Sequence, residues 1–162
     1  MSIEPSKIGT DVTNLLKIRS IDFALHTFEY LPGGGTSRSS SALGISESQV
    51  IKTLVFQTDD GKPLLVLMHG DMRVDTKALA RVVGCKKIKS CSPEAAESWS
   101  GWPVGSTNPF ILKNPMSIFA EESIFDLERM WINGGGRGIL VSMNPVDLKS
   151  AIDFQMVRVG TK

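Results

Sequence analysis

A lysine stands inside a run of residues that otherwise suits a buried strand, Val50-Ile51-Lys52-Thr53-Leu54-Val55-Phe56. Val, Ile, Thr and Phe fit a pleated, half-buried surface. An ammonium group there must reach water by its stem, meet a partner, or accept a desolvation cost that lowers its pKa. Position alone leaves two readings open. Lys52 is a charge on an edge strand that discourages edge-to-edge pairing, or it is a functional cation.

Two loops could supply chemistry around such a cation. Gly101-Trp102-Pro103-Val104-Gly105-Ser106-Thr107-Asn108-Pro109 reads as an extended segment with several free N–H donors. Such a loop can face a developing oxyanion, or it can be a plain surface connection. Gly134-Gly135-Gly136-Arg137-Gly138 lies between two strand candidates. Its glycines would let a ligand approach backbone N–H groups, and Arg137 could grip a phosphate or carboxylate. An ordinary tight turn fits the same residues.

Other chemistries find less support. Neither this loop nor Gly33-Gly34-Gly35 carries the ending of a phosphate-binding P-loop or the setting of a dinucleotide fingerprint. His26 and His69 each stand alone, so no serine triad can be assembled from recognisable motifs. Cys85 and Cys91 are six positions apart, a spacing of neither redox nor zinc motifs. They read as buried or half-buried free thiols, and no metal or cofactor is expected.

The elements that must position these groups follow from periodicity. Ile8, Val12, Leu15, Leu16 and Ile18 fall near helical spacing across residues 8–18. Phe23 to Tyr30 reads as a strand, broken by Leu31-Pro32-Gly33-Gly34-Gly35. Residues 36–44 fit a short helix with a hydroxyl cap and Gly44 as its stop. The lysine strand, 50–57, and the strand Pro63 to His69 flank the turn Asp59-Asp60-Gly61-Lys62 and form a hairpin. Residues 74–84 make the clearest helix, with Asp75 as N-cap, Gly84 as stop and Leu79, Val82 and Val83 as the buried face. A second helix runs from Ser92 to Ser98 with Pro93 at its first position. Strands are expected at Pro109–Lys113, Met116–Glu121, Glu128–Asn133, Ile139–Met143 and Phe154–Val159, with a short helix at 144–149. The order predicts one α+β domain spanning residues 1–162: a mixed, mostly antiparallel, partly barrel-like sheet with surrounding helices.

The totals fit that picture. The chain of 162 residues carries 18 Lys+Arg against 17 Asp+Glu, a net charge of +1. That balance neither demands nor excludes nucleic acid, which responds to local clusters. Such a cluster exists: Lys77 and Arg81 share a helix face, with Arg73 before them and Lys86, Lys87 and Lys89 after. No apolar run approaches the roughly 18 residues of a bilayer span, and the N-terminus lacks signal-peptide features. A cytoplasmic location with no membrane partner is expected.

Taken together, Gln49-Val50-Ile51-Lys52-Thr53-Leu54, Asp75-Thr76-Lys77-Ala78-Leu79-Ala80, Val104-Gly105-Ser106-Thr107-Asn108-Pro109 and Gly134-Gly135-Gly136-Arg137-Gly138 occur in a characteristic order. From about residue 12 to residue 152 the chain resembles the YbaK/EbsC/ProX family of aminoacyl-tRNA deacylases. These are free-standing relatives of the editing domain inserted in bacterial prolyl-tRNA synthetase. The resemblance implies hydrolysis of the ester between a wrong amino acid and the 3′ end of a tRNA. Lys52 matches the residue on which that activity most depends, one that positions the 3′ end or the ester. Gly105, Ser106, Thr107, Asn108 and Pro109 match a loop whose backbone contacts the aminoacyl carbonyl. Gly134, Gly135 and Arg137 match another wall of the pocket, and Arg73, Lys77 and Arg81 are candidate tRNA contacts. Family members use no metal and no consistent side-chain base, so water or a substrate group attacks.

Two departures bear on specificity. Phe28 stands where the cysteinyl-tRNA(Pro) deacylases usually have tyrosine, and Leu140 where they usually have an acidic residue. Both changes make the implied pocket less polar and favour small residues such as Cys, Ala or Ser on a non-cognate tRNA. The expected partners are mischarged tRNA, tRNA-Pro among the candidates, and a prolyl-tRNA synthetase. The competing reading is a non-catalytic module that binds an amino acid or a synthetase on the same fold.

Overall fold

Lys52 belongs to a strand with neighbours on both sides. The computed structural model describes residues 9–162. In it β2 (Val50–Thr58) pairs antiparallel with β3 (Pro63–His69), placing Lys52 opposite Met68. On its other side β2 pairs parallel with β7 (Met130–Asn133) at Val50 and Ile51, and antiparallel with β5 (Ile88–Ser90) from Phe56 to Thr58. The edge-strand reading of Lys52 is therefore wrong. Between Ile51 and Phe56, however, no described strand pairs with β2 on that second side. The lysine sits at an internal gap in the sheet.

The rest of the sheet extends from this pair. β1 (Phe23–Thr27) and β8 (Ile139–Met143) continue beyond β7, and β6 (Ser117–Glu121) and β9 (Gln155–Val157) continue beyond β3. The order is β1-β8-β7-β2-β3-β6-β9, with β5 attached to β2. Pairings β1/β8, β8/β7, β2/β3 and β2/β5 are antiparallel, and β7/β2, β3/β6 and β6/β9 are parallel. A two-strand ribbon, β4 (Arg73–Val74) with β10 (Gly160–Thr161), stands apart. This is the mixed, mostly antiparallel α+β arrangement expected.

Alternation along β2 and β3 builds a core on each face. Ile51, Val55, Leu65 and Leu67 point to one side, under α1 (Asp11–Ile18) and α5 (Leu148–Ala151). Phe56, Leu64, Val66 and Met68 point to the other, under α3 (Thr76–Val83). Local chemistry explains the helices. Thr10 and Thr13 form a reciprocal capping box at the start of α1. Asp75 caps α3 through the Ala78 N–H, and Gly84 ends it at φ +84. Ser92 caps α4 (Pro93–Ser100), which runs to Ser100 rather than to Ser98.

Several expectations need correction. Ile8, expected in the first helix, lies outside the described residues, and Ile18 at its end is exposed. β1 ends at Thr27, because beyond it the chain pairs with a glycine turn: Phe28 N–H donates to the Gly138 carbonyl. Helix α2 (Gly35–Leu43) begins at Gly35 with Gly34 as its cap and has no hydroxyl cap, because Thr36 turns its side chain elsewhere. Val82 is 43% exposed, since Val83, Cys85 and Ile88 fill the space over that face instead. Pro109–Lys113 is not a strand. The Asn108 carboxamide oxygen takes the N–H groups of Phe110 and Ile111 at 3.0 and 3.1 Å, closing a turn where a ladder would need them.

Leu79 is fully buried between α3 and the outer face of β3. Leu79→Ala should lower the unfolding free energy by about 2–5 kcal/mol, measured as a reduced urea midpoint at unchanged slope. A loss below about 1 kcal/mol would mean that α3 contributes little to the core.

Candidate active site

The gap beside Lys52 opens into a cavity of about 360 Å³, at the lower end of ligand-site volumes. Five segments line it: Phe28, Tyr30 and Leu31; Thr36 and Ser39 of α2; Val50 to Thr53; the loop carrying Val104, Gly105 and Thr107; and Asn133 and Leu140 of the paired strands β7 and β8. Sheet register explains the assembly. Trp131 pairs with Val50 and Asn133 with Leu140, so side chains at these positions share the face that carries Lys52.

Lys52 Nζ donates to the carbonyl of Gly70 at 3.1 Å. Burial is the main influence on its pKa and pushes it below the usual lysine range. Glu47 and Asp71 act the other way by favouring the ammonium, and Arg73 adds a smaller depression. One hydrogen bond to Gly70 leaves two N–H donors for the cavity.

Facing it is a loop whose shape is fixed from behind. Asn108 is fully buried, and its amide group donates to the Ser106 carbonyl at 3.1 Å. The Ser106 N–H is engaged by the Pro103 carbonyl at 3.0 Å. The N–H groups of Gly105 and Thr107, both on the cavity wall, donate to no other group among the described residues. Gly105 has φ +92, and a Cβ there would stand 2.7 Å from the Tyr30 ring. A glycine is required both for the backbone angle and for the close approach.

The glycine-rich loop braces this wall. Asn133 donates to the carbonyls of Gly105 at 2.8 Å and Gly136 at 3.0 Å, and its oxygen accepts from Gly135 N–H at 2.7 Å. Arg137 donates to the Val104 carbonyl at 2.8 Å and lies over the Tyr30 ring at 5.0 Å. The guanidinium thus clamps loop to loop.

Of the residues singled out from sequence, Phe28, Lys52, Gly105, Thr107 and Leu140 meet at the cavity. Ser106, Asn108, Gly135 and Arg137 brace its wall without being in the lining, and Pro109 and Gly134 are not in the lining. Arg73, Lys77 and Arg81 are exposed on β4 and α3, outside the cavity lining. Tyr30, Thr36, Asn133 and Gly70 escaped notice in the sequence. Asn133, directly before a glycine run, carried a signal for a side chain that organises a turn. The others carried none, since their role comes from distant segments. Among the described residues no three His, Cys, Asp or Glu side chains gather to hold a metal. Cys85 and Cys91 are free and half-buried, and burial raises the Cys91 thiol.

The fold and this site define a class: a mixed-sheet domain whose cavity is lined by a half-buried ammonium and by residues with unengaged backbone N–H groups. Comparison with known proteins gives the family. Residues 33–151 match the aminoacyl-tRNA editing domain, and the chain belongs to that family. It is 33% identical over 107 residues to a proline–tRNA ligase of Nitratidesulfovibrio vulgaris (strain DP4), a match covering 65% of this chain and only 18% of the ligase. It is 24% identical over 123 residues to an Enterococcus faecalis protein named "Putative Cys-tRNA(Pro)/Cys-tRNA(Cys) deacylase EbsC", covering 76% of this chain and 75% of that one. Two solved structures share the fold. One is the hypothetical protein APE2540, at TM-score 0.84, 20% identity and coverage of 93% and 99%. The other is described as "a putative trans-editing enzyme for prolyl tRNA synthetase", at TM-score 0.76, 22% identity and coverage of 99% and 100%.

Two outcomes follow from this geometry. Gly105→Val should cost about 1–3 kcal/mol of stability from its left-handed angle, with further loss from the clash with Tyr30, read by thermal unfolding. Unchanged stability would show that the loop yields freely. Because burial depresses the Lys52 pKa in the folded chain, the charged form is disfavoured by folding below that pKa. The cost fades as pH rises from the folded value to the usual lysine value. Lys52→Met should therefore match or exceed the parent in stability at neutral pH, with the difference shrinking toward alkaline pH. A less stable variant at neutral pH would mean that the Gly70 bond outweighs the burial cost.

Proposed function

We propose that the protein hydrolyses the ester linking a small, wrongly attached amino acid to the 3′ end of a tRNA. The observation that carries this reading is the Lys52 ammonium, held at a cavity that Gly105 and Thr107, with unengaged N–H groups, also line. Membership in the editing-domain family supports the same substrate class. The names of the relatives add tRNA-Pro as the first candidate tRNA and a prolyl-tRNA synthetase as the candidate partner.

The chemistry needs little more than these groups. Attack of water, or of a hydroxyl or thiol of the substrate, on the ester carbonyl builds negative charge on the carbonyl oxygen. Fixed donors stabilise that charge without reorganising, and losing one typically costs about a hundredfold or more in rate. When water attacks, the intermediate expels the ribose oxygen, which takes up a proton. The products are the free amino acid and a deacylated tRNA. Lys52 orients the ester and needs no change of protonation to do so.

Size selection follows from the lining. Phe28, Tyr30, Leu31, Val104 and Leu140 give the cavity an apolar wall. Such a wall excludes large side chains, but one missing methylene alters discrimination by only about 1–3 kcal/mol. Alanine, serine and cysteine should be removed at comparable rates and phenylalanine slowly. A panel of mischarged tRNAs tests the reading, with Lys52→Ala as the control expected to be inactive while folded. A folded, active Lys52→Ala would overturn it. Binding of an amino acid without hydrolysis of any ester would favour a sensing or docking module.

The exposed Arg73, Lys77 and Arg81 are proposed contacts for tRNA phosphates. Reversing charge at Lys77 and Arg81 together should weaken tRNA binding and flatten its salt dependence. Each lost phosphate contact lowers the slope of log affinity against log salt by about 0.9 on duplex or 0.7 on single strands. An unaltered slope would place the tRNA elsewhere.

A further inference from the structure

The Gly70 carbonyl has two donors within reach, and the second belongs to the cavity wall. Lys52 Nζ is 3.1 Å away and Thr36 Oγ1 is 3.3 Å away. Thr36 Oγ1 also lies 3.0 Å from the Glu47 carboxylate. A hydroxyl carries one hydrogen, so it can serve only one of these acceptors at a time. The spacing is tight. Gly70 N–H is fixed to the Val50 carbonyl at 2.7 Å, and a Cβ on Gly70 would stand 2.6 Å from Thr36 Oγ1 and 2.9 Å from the Glu47 carbonyl.

We propose that Thr36 and Glu47 are positioning residues for Lys52, with the Thr36 hydroxyl exchanging between the Glu47 carboxylate and the Gly70 carbonyl. With its hydrogen on Glu47, Thr36 leaves Gly70 to Lys52. With its hydrogen on Gly70, it takes over that carbonyl as the ammonium turns toward an ester oxygen. The Gly70 carbonyl keeps a donor in either arrangement, and the acceptor that is released is the half-buried Glu47 carboxylate, which solvent can reach. No proton changes owner. The inference rests on the reading of Lys52 as the group that holds the ester.

Glu47 has a second effect. The charged groups around Lys52 are Glu47 ahead of β2, Asp71 and Arg73 after β3, and Arg38 of α2, which lines the same cavity and donates to the Glu29 carbonyl. Glu47 and Asp71 sustain the ammonium against burial and Arg73. Removing the Glu47 charge should let Lys52 lose its proton at lower pH.

The test uses Thr36→Val, which keeps the shape and removes the hydroxyl, with Thr36→Ser as rescue and Glu47→Gln for the charge. Two readouts are taken on the full chain. One is kcat and KM for a mischarged tRNA. The other is the pH dependence of Lys52 acetylation by acetic anhydride, followed by mass spectrometry. Thr36→Val should lower kcat by about tenfold or more with KM little changed, as expected of a misplaced catalytic group, and Thr36→Ser should restore it. Glu47→Gln should move the Lys52 titration to lower pH while thermal unfolding stays near the parent. Parental kcat in Thr36→Val, or an unmoved titration in Glu47→Gln, would overturn the proposal. The titration needs no turnover. If the parent hydrolyses no charged tRNA, the functional reading fails, while the Lys52 titration still decides the role of Glu47. Should Thr36→Val not fold, Thr36→Ala, which also removes the hydroxyl, takes its place under the same kcat and KM readout with the same outcomes.

Discussion

An ammonium group on an interior β-strand is costly to desolvate, and much of this structure is arranged around making that cost tolerable. Strand β2 has neighbours on both sides, so Lys52 is inside the sheet although it is itself paired only to β3. It is accommodated because β7 leaves β2 after Ile51 and β5 joins only at Phe56. The unpaired stretch between them lets the side chain face a cavity, while the Gly70 carbonyl supplies a fixed acceptor. The positive charge is thus kept half-buried, where a charge interacts more strongly with an opposite charge than it would in water.

Rigidity of the facing wall comes from two asparagines. Asn108 holds the small-residue loop from inside, and Asn133 ties that loop to the glycine-rich one. Arg137 and Tyr30 add a second brace. Through the Asn133 bond the small-residue loop is tied directly to the end of β7. A site on such a scaffold can present backbone N–H groups in place before the substrate arrives, which is where electrostatic stabilisation is most effective. The glycines contribute by geometry. Gly105 adopts a positive φ and lets Tyr30 pack against the backbone.

The cavity combines this polar line of Lys52 and backbone amides with apolar sides from Phe28, Leu31, Val104 and Leu140. Leu31 and Val104 are themselves substantially exposed, so the apolar lining reaches the mouth. The exposed basic residues lie on β4 and α3, just beyond the turn that carries Gly70, and Arg73 is near enough to influence Lys52. Of the exposed basic residues, Arg73 is therefore the one shown to lie near Lys52, and only Lys52 is partly removed from solvent.

How much of this was legible in the chain follows the range of the forces involved. Asp75, Gly84, Ser92 and Pro93 announce helix ends because a cap is satisfied within a few residues. The Asp59–Lys62 turn and its flanking strands announce a hairpin for the same reason. Lys52 stood out by breaking an apolar run, and the loops around Gly105 and Gly134 by composition. Hidden from the sequence were the parallel pairing of β7 with β2 and the gap it leaves, which decide that Lys52 is internal. Hidden too was the Asn108 turn that replaced an expected strand, because two side-chain bonds outweighed local strand preference. The meeting of Thr36, Glu47 and Gly70 depends on segments far apart in the chain. Residue types and local spacing determine which elements form and which groups are chemically unusual. Which of those groups meet is decided by strand order and packing, since long-range contacts leave no periodic trace in a single sequence.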